Sequence, residues 1–459
     1  MDYEYLRRQI AGKKSRIGLI GATRGYGYTL LSQIMKVDCI ELRVMCSRHV
    51  DACTRVLEEF GYSQAQIALC ETADQVHSAP EGTVIVVSDH RLLAESNINS
   101  LVECTGNTSV GSEIAVLALT RRINVYMVSK ETDSVCGPML NQIAAEHGAV
   151  YALVNGDQPR NLLDLYSWAK LCGLEIIAAG KSSEYDFVWD YNTNYFYYDD
   201  GCEKKEECIP ELAACWRYSD ARTLSERKRL LKKYTRVISA DLCEMNLVSN
   251  VTGLTPALET MHYPIVKTNE LADVFIPRED GGILDRTDVI DVFYQLRAPD
   301  EASFAGGEFV IVKCKNETVW ETLKGKGHLV SRNQKYACLY FPYHLMGVET
   351  PVSIILGDFM GIGTHRECRH VSVLVGIAQQ DLPKGTCLRV EGHHHEIRGV
   401  MPALLAREDA EGLAPFYLLN ERTVLRDIKA GEPIPCSAVN LSGLPAYELY
   451  KQGLELKNI

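Results

Sequence analysis

The sequence predicts an α/β protein that begins with a Rossmann-type parallel sheet. Two observations indicate this. An apolar, strand-like run at residues 16–20 leads into a glycine-rich turn and then a helix-like segment, and strands and helices continue to alternate to about residue 154. Such alternation is typical of parallel sheets, in which a helix connects each strand to the next. The chemistry of such a fold is expected at the carboxyl ends of the strands.

Apolar periodicity and segment length assign the individual elements. The second strand ends at Cys46, directly before Ser47 and Arg48. Further strands are predicted over 83–87, 101–104, 124–128, 149–154, 174–179 and 337–341, and helices over 111–121, 138–147 and 161–172.

The turn after the first strand contains three glycines with the spacing G-x-x-x-G-x-G. A strand, a tight glycine turn and a helix N-terminus together present backbone N–H groups to a pyrophosphate. The alternative is that the glycines merely turn a loop, but their place after a strand favours a dinucleotide site. The predicted cofactor-binding residues are Gly21, Thr23, Arg24, Gly25, Tyr26, Gly27, Ser47, Arg48, Thr105 and Gly106.

The end of the second strand distinguishes the two nicotinamide cofactors. An acidic residue there would bind the ribose hydroxyls of NAD, whereas the 2′-phosphate of NADP needs cations and hydrogen-bond donors. Ser47, Arg48 and His49 occupy these positions, and Arg24 adds a second guanidinium. An arginine binds phosphate through two parallel hydrogen bonds. NADP is therefore favoured over NAD, with solvated surface arginines as the alternative.

Composition limits the classes of partner. The net charge of −12 over 459 residues argues against a nucleic-acid-binding surface. No apolar run approaches the ~20 residues of a membrane span, and the N-terminus lacks signal-peptide features, so a cytoplasmic protein is expected. The sixteen cysteines are expected to be reduced thiols. Neither Cys202 and Cys208 nor the histidines at 393–395 have zinc-ligand spacing, and a divalent-metal requirement stays open.

Three polar loops follow predicted strands, at 105–107, 129–131 and 155–157. Lys130 and Lys181 each follow a strand, where a lysine could bind an anionic substrate group or stabilise charge on the reacting oxygen. His344 is a candidate proton donor or acceptor, because histidine changes its charge nearest to neutral pH. Arg278 lies in a polar turn with two glycines and could bind an anionic group, or it could form a salt-bridged turn.

An ordered series of motifs extends from this region to the C-terminus. The motifs are Val102–Gly106, Gly137–Pro138, Asn155–Pro159, Ala178–Lys181, Glu244–Met245, Asn250–Leu254, Pro277–Arg286, Tyr340–Leu345 and Glu349–Pro351, with two D-[LI]-x-x-G strings at Asp381–Gly385 and Asp427–Gly431. In these motifs the chain resembles the homoserine-dehydrogenase-like oxidoreductases with a C-terminal SAF domain, a group that includes the 1-deoxy-D-xylulose 5-phosphate reductoisomerase-like enzymes.

The resemblance implies three domains: a dinucleotide-binding domain over 1–159, an α+β catalytic and oligomerisation domain over 160–365, and a mostly-β SAF (β-clip) domain over 366–459. It also implies a homo-oligomer that acts on a small molecule. Lys130 matches the active-site lysine of homoserine dehydrogenases. The predicted catalytic residues are Lys130, Asp157, Lys181 and His344, and the predicted substrate-binding residues are Glu131, Glu244, Arg278, Asp280 and Tyr343.

Two features depart from the family pattern. Residues 185–200 form an aromatic and acidic stretch, interpreted as a loop that closes over a hydroxyl-rich ligand or as a dimer contact. Ala240 stands about where reductoisomerase-like relatives have a lysine. The expected function is an NADP-dependent oxidoreductase on a small hydroxylated or keto compound, sugar- or polyol-like, with or without a phosphate or carboxylate, and with skeletal rearrangement left open. The alternatives are a homoserine-dehydrogenase-type enzyme and a non-catalytic nucleotide sensor or scaffold.

Overall fold

The computed structural model describes residues 3–199, 203–313, 316–364, 367–392 and 394–456. Asp200, Cys202 and His393, which the sequence analysis considered, lie outside these residues. The chain folds as two compact units, the first made of residues 1–157, 345–370 and 441–459, and the second of 158–344 and 371–440. The two later segments of the first unit come from the predicted catalytic and SAF domains, and the three-domain division stays a prediction.

The first unit is built on a seven-stranded sheet with the order β3-β4-β2-β1-β5-β6-β7, and every pair in it is parallel. The strand order reverses between β1 and β5, which is where ligands bind in open α/β sheets. The predicted Rossmann-type sheet is confirmed. Its strands are β1 Ser15–Ile20, β2 Ile40–Cys46, β3 Ile67–Leu69, β4 Val84–Val87, β5 Ser100–Glu103, β6 Asn124–Met127 and β7 Tyr151–Leu153.

Helices complete the first unit. Buried Leu30, Leu31 and Leu57 pack with strand residues such as Ile17 and Val102 in one hydrophobic core. The helices of this unit are α1 Tyr3–Gln9, α2 Gly25–Ile34, α3 Val50–Glu59, α4 Ala73–Ser78, α5 Thr108–Thr120, α6 Lys130–His147, α12 Thr350–Met360 and α13 Pro445–Leu454.

Helix α6 begins eight residues earlier than predicted. The sequence pattern predicts this helix over 138–147 and a loop at 129–131. In the structure Ser129 is the residue before the helix and Pro138 lies in its interior. Residues 131–138 are buried, so packing offsets the hydrogen bond that the proline cannot donate. Lys130 therefore stands in the first turn of a helix.

The second unit contains a nine-stranded mixed sheet. Seven of its strands follow the order β11-β10-β9-β14-β8-β15-β16, and two short strands pair with β14. Strand β8 includes Lys181, which the sequence analysis placed beyond the strand end. The strands are β8 Glu175–Ser182, β9 Phe187–Asp190, β10 Tyr195–Asp199, β11 Lys204–Cys208, β12 Thr255–Pro256, β13 Ile265–Val266, β14 Val289–Arg297, β15 Glu308–Lys313 and β16 Tyr336–Phe341.

The helices of the second unit are α7 Gln158–Leu171, α8 Ala221–Leu231, α9 Ser239–Thr252, α10 Leu271–Val274 and α11 Glu317–Gly325. Residues 371–440 are mostly β and pack with α9, where Asn246 donates to the Ser372 carbonyl oxygen over 2.9 Å. Their short strands are β17 Ser372–Ala378, β18 Cys387–Leu388, β19 Val390–Glu391, β20 Glu396–Ile397, β21 Val400–Ala406 and β22 Arg422–Thr423.

The aromatic stretch is a sheet and not the closing loop that the sequence analysis considered. Residues 187–190 and 195–199 form β9 and β10, which are antiparallel to each other. Side chains alternate between the two faces, so Phe187, Trp189 and Phe196 are buried while Tyr195 and Tyr197 are exposed. Phe187 stacks on Tyr294 of β14 with ring centroids 4.8 Å apart. Deleting 190–199 would therefore remove a strand of the sheet.

No helix in the part of the chain that the structure describes has the length and apolar character needed to cross a membrane.

Candidate functional site

The glycine turn of the first unit brings two loops into close contact at the strand-order reversal. Gly21 has a φ of +81°, and a Cβ atom there would lie 2.6 Å from the Cys104 carbonyl oxygen. A Cβ on Gly27 would lie 2.4 Å from Ala22 Cα. Gly25 has open space around its Cβ position and begins α2. The backbone can thus approach a ligand at the start of a helix, which fits a dinucleotide pyrophosphate.

Gly21→Ala should destabilise the protein by about 1–3 kcal/mol. The new methyl group would clash with backbone atoms, and alanine disfavours the positive φ at this position. Gly25→Ala is the matched control: its φ is +58° and its Cβ position is open, so it carries only the conformational cost. Urea unfolding of both variants measures the difference. Equal loss of stability in the two would show that the close approach at Cys104 has no energetic effect.

The residues after β2 carry cations. Arg48 is exposed, and the Ser47 hydroxyl oxygen accepts a hydrogen bond from the His49 N–H over 3.1 Å. Arg24, also exposed, precedes α2 in an extended conformation. Within the described ranges neither arginine forms an ion pair with a carboxylate. Both guanidinium groups are therefore available to a phosphate.

A buried carboxyl group that the sequence analysis missed stands at the end of β5. Glu103 is fully buried, and burial raises its pKa. The Thr105 N–H donates to Glu103 Oε1 over 2.8 Å, and the Gly106 N–H donates to Ser129 Oγ over 2.7 Å. Glu103 thus fixes the predicted cofactor loop at 105–106. In the sequence, an acidic residue at the end of an apolar strand and directly before a polar loop could have indicated this group.

The loop after β7 is held by the glycine turn and by α12. The Tyr26 hydroxyl hydrogen-bonds to Thr350 Oγ1 over 2.6 Å and donates to the Asn155 carbonyl oxygen over 3.2 Å. Burial raises the pKa of Tyr26 well above its ordinary value. Lys130 Nζ and Asp157 Oδ1 lie 3.9 Å apart, so the structure brings these two predicted catalytic residues together.

In the second unit, Lys181 lies in a fully buried ionic cluster. Its side chain has no exposed surface, and its ammonium group donates to Gln158 Oε1 over 3.0 Å, to Asp241 Oδ1 over 2.7 Å and to Glu244 Oε2. A buried ammonium group needs acceptors for its N–H donors, and these side-chain oxygens are among them. The predicted substrate-binding residue Glu244 is equally buried. Direct substrate contact by either side chain would need the cluster to open.

Other members of this cluster were missed by the sequence analysis. Burial raises the pKa of Asp241, the Lys181 charge counteracts that rise, and the Tyr263 hydroxyl donates to Asp241 Oδ2 over 3.0 Å. Glu308 of β15 pairs directly with Lys181 across the sheet and is also buried. Asp241 and Glu244 are three residues apart and share a helix face, so their spacing could have indicated a pair of carboxylates. Ala240, where the sequence departs from the reductoisomerase-like pattern, directly precedes Asp241.

His344 is held next to this cluster through Gly306. His344 Nδ1 lies 3.0 Å from the Gly306 carbonyl oxygen. A Cβ on Gly306 would lie 2.6 Å from His344 Cε1 and 2.7 Å from Gln158 Nε2, so the histidine and the glutamine pack against the same glycine. A carbonyl only accepts hydrogen bonds, so Nδ1 carries the hydrogen and the Nε2 lone pair remains in the neutral ring. This arrangement suits Nε2 to accept a proton.

A second histidine–carboxylate pair was missed as well. His262 Nδ1 lies 2.6 Å from Asp291 Oδ2, and Asp291 Oδ1 accepts from the His262 N–H over 2.8 Å. Asp291 is fully buried in β14 and is paired in register with Gly180 of β8. The two residues are far apart in sequence, so periodicity carries no signal for this pair.

Several predicted substrate-binding residues have structural partners elsewhere. Arg278 pairs with Asp285 over 2.8 Å at an exposed turn, which matches the alternative salt-bridged interpretation. Asp280 accepts from Lys335, which is the main cause of its lowered pKa, and from Tyr336. Tyr343 is 59% exposed, and Glu131 is buried in the first turn of α6.

Among the described residues, no group of three or more histidine, cysteine, aspartate or glutamate side chains is arranged to hold a metal ion. The cysteines that the structure describes are free thiols.

Residues 156–350 match the family model of the oxidoreductase DRL catalytic domain. This match includes Asp157, Lys181, Glu244 and His344, and it supports the predicted NAD(P)-dependent oxidoreductase. No curated protein matches the chain. The SAF domain and the homoserine-dehydrogenase-like relationship stay predictions.

The chain is also similar to solved structures at low identity. They include a DOX-P reductoisomerase with fosmidomycin and magnesium (16% identity, TM-score 0.28, 37% of this chain and 46% of that chain). A probable dehydrogenase from Thermotoga maritima is 12% identical, with a TM-score of 0.37, over 76% of this chain and 90% of its own. The WlbA dehydrogenase from Bordetella pertussis, in complex with NADH and UDP-GlcNAcA, is 18% identical, with a TM-score of 0.27, over 39% of this chain and 45% of its own. The chain thus spans less than half of the first of these.

Proposed function

We propose that the protein is an NADP-dependent oxidoreductase that acts on a small hydroxylated or keto compound of the sugar or polyol type. The observation that carries the proposal is the Rossmann sheet of the first unit, whose glycine turn leaves a backbone cradle at the strand-order reversal and whose second strand ends in cations. The match of residues 156–350 to an oxidoreductase catalytic domain supports the reaction class.

Each unit has its own role in the proposed reaction. The first unit would hold the cofactor through the turn at 21–27 and the cations Arg24 and Arg48. When bound, the nicotinamide supplies or accepts a hydride. In the second unit, His344 Nε2 would accept the proton of the substrate hydroxyl group on oxidation and return it on reduction. Lys181, which is fully buried, would fix Gln158 and thereby the position of His344.

A cavity of the second unit supports the substrate class. It has a volume of about 540 Å³, and its lining includes Tyr185, Tyr197, Asp186 and Arg297. Aromatic faces stack on sugar rings, and carboxylates accept hydrogen bonds from hydroxyl groups. Ala305 also lines the cavity and directly precedes Gly306, the residue against which His344 packs. This lining residue is the observation that connects the cavity with the segment that holds His344.

The cations at the cofactor site give a test of cofactor preference. NADPH should bind more tightly than NADH, and Arg48→Ala should weaken NADPH binding by about tenfold or more, because one charge-assisted hydrogen bond is lost. NADH affinity should change little. Calorimetry of both cofactors measures this, with Arg55→Ala on the exposed face of α3 as a charge-matched control. Equal affinity of the unmodified protein for the two cofactors would contradict the proposal.

A screen of purified metabolites, followed by NADPH absorbance in both directions, tests the reaction itself. Turnover of a polyol, sugar or sugar acid is the expected result. Turnover of homoserine would favour the hydroxy-acid alternative, and analysis of the product's carbon skeleton would detect rearrangement. Tight NADPH binding with no turnover across the panel would instead support a nucleotide sensor.

A further inference from the structure

A groove of about 810 Å³ lies in the first unit at the amino end of its sheet. It is lined by α1, by residues 10–14 that enter β1, by residues 36–39 that enter β2, and by α12. Because β1 and β2 are parallel, this edge is opposite to the one that carries the glycine turn. The groove is therefore separate from the proposed cofactor site.

The floor of the groove is apolar. Leu6 and Ile10 are buried and form one hydrophobic cluster with Leu356, against which Val352 and Ile355 pack while remaining partly exposed. These side chains come from two helices and a connecting segment. They form a continuous apolar surface that a hydrocarbon ligand could cover.

The rim of the groove is cationic. Arg7, Lys13, Lys14 and Lys36 line it and are exposed, whereas Asp38 is its one lining acid among the described residues. Lys14 lies 4.0 Å from Glu41. In the described ranges, Arg7, Lys13 and Lys36 form no ion pair. A rim of like charges in a chain with a net charge of −12 favours an anionic ligand.

We propose that this groove binds an amphipathic organic anion, a linear acyl chain with a carboxylate head, taken up from solution. The hydrocarbon chain would cover the Leu6–Ile10–Val352 floor, and the carboxylate would pair with the rim lysines. The volume is within the range of small-molecule sites. The two halves of the surface, apolar floor and cationic rim, match the two halves of this ligand.

Calorimetry with octanoate, decanoate and dodecanoate, each below its micelle concentration, tests the apolar contribution. Affinity should rise by about fourfold for each added methylene, until the groove is filled. Added salt should weaken binding, because the head group is recognised by exposed charges. Decan-1-ol has the same chain without the charge and should bind at least about tenfold more weakly than decanoate.

The double variant Lys13→Glu/Lys36→Glu should bind decanoate about tenfold more weakly or worse, while NADPH affinity confirms that the fold is intact. Lys324→Glu/Lys326→Glu, with the same charge change on the second unit, should leave decanoate binding unchanged. Equal binding of the alcohol, or no loss in the first double variant, would overturn the proposal. So would binding to anionic vesicles but not to free decanoate, or sedimentation showing a dimer that this variant dissociates while decanoate does not bind.

Discussion

Replacing His344 by Gln should lower kcat/KM by about 10²–10⁴-fold, which is the range that a positioned acid–base group contributes. Glutamine places an amide group near the position of Nε2 but has no basic nitrogen that could accept the proton. The substrate proton would then have no acceptor in the second unit at the place where His344 packs against Gly306 and Gln158. Steady-state kinetics with the substrate found in the metabolite screen measure this change.

Two further readouts separate proton transfer from a structural role. In the variant, NADPH affinity should stay unchanged, and the pH dependence of kcat/KM should lose one ionisation step. His328→Gln is the matched control, since it makes the same substitution at an exposed histidine of the second unit that has no role in the proposed proton transfer. A His344→Gln enzyme with normal kcat/KM would contradict the assignment.

Replacing Lys181 by Met should destabilise the protein by about 3–5 kcal/mol, because the buried carboxylates of Asp241 and Glu244 would lose their counter-charge. Burial already raises the pKa of Asp241, and the lysine limits that rise. Without the lysine the pKa of Asp241 should rise further. Chemical denaturation of the variant and the unmodified protein measures the loss.

The pH dependence of this loss has a definite sign. A carboxyl group whose pKa is higher in the folded than in the unfolded state binds more protons when folded, across the interval between the two values. The stability of the Lys181→Met variant should therefore fall as the pH rises from the ordinary pKa of an aspartate through the raised value, and its deficit should be smallest in acid. A deficit independent of pH would contradict the ionic explanation.

Neutralising the cluster distinguishes charge compensation from catalysis. The variant Lys181→Met/Asp241→Asn/Glu244→Gln should recover much of the lost stability, since no uncompensated carboxylate remains buried. If Lys181 fixes Gln158 and His344 as proposed, the triple variant should still turn over about a hundredfold more slowly than the unmodified enzyme while binding NADPH normally. Normal turnover in the stable triple variant would restrict Lys181 to a structural role.

Local patterns in the sequence are enough to predict the parallel sheet and its glycine turn. Buried parallel strands are continuous apolar runs, as at residues 84–87, so the strands of this sheet other than β3 could be read locally. Gly21 and Gly25 are local signals too, because each has a positive φ, and Gly27 is one because a Cβ there would meet Ala22, five residues earlier.

The surroundings of the reactive groups depend on contacts between residues that are far apart in the sequence. Lys181 can be fully buried because Asp241 and Glu244 compensate its charge and the Gln158 amide oxygen accepts a hydrogen bond from it, and no pattern near residue 181 contains those partners. Helix α6 passes through Pro138 because the packing of its buried residues outweighs the local cost of a proline. The aromatic residues from 187 onward favour strands by propensity, and pairing with β14 makes β9 part of the second-unit sheet. Periodicity reports which face of an element is apolar. The partners that meet at that face are brought together by long-range packing alone.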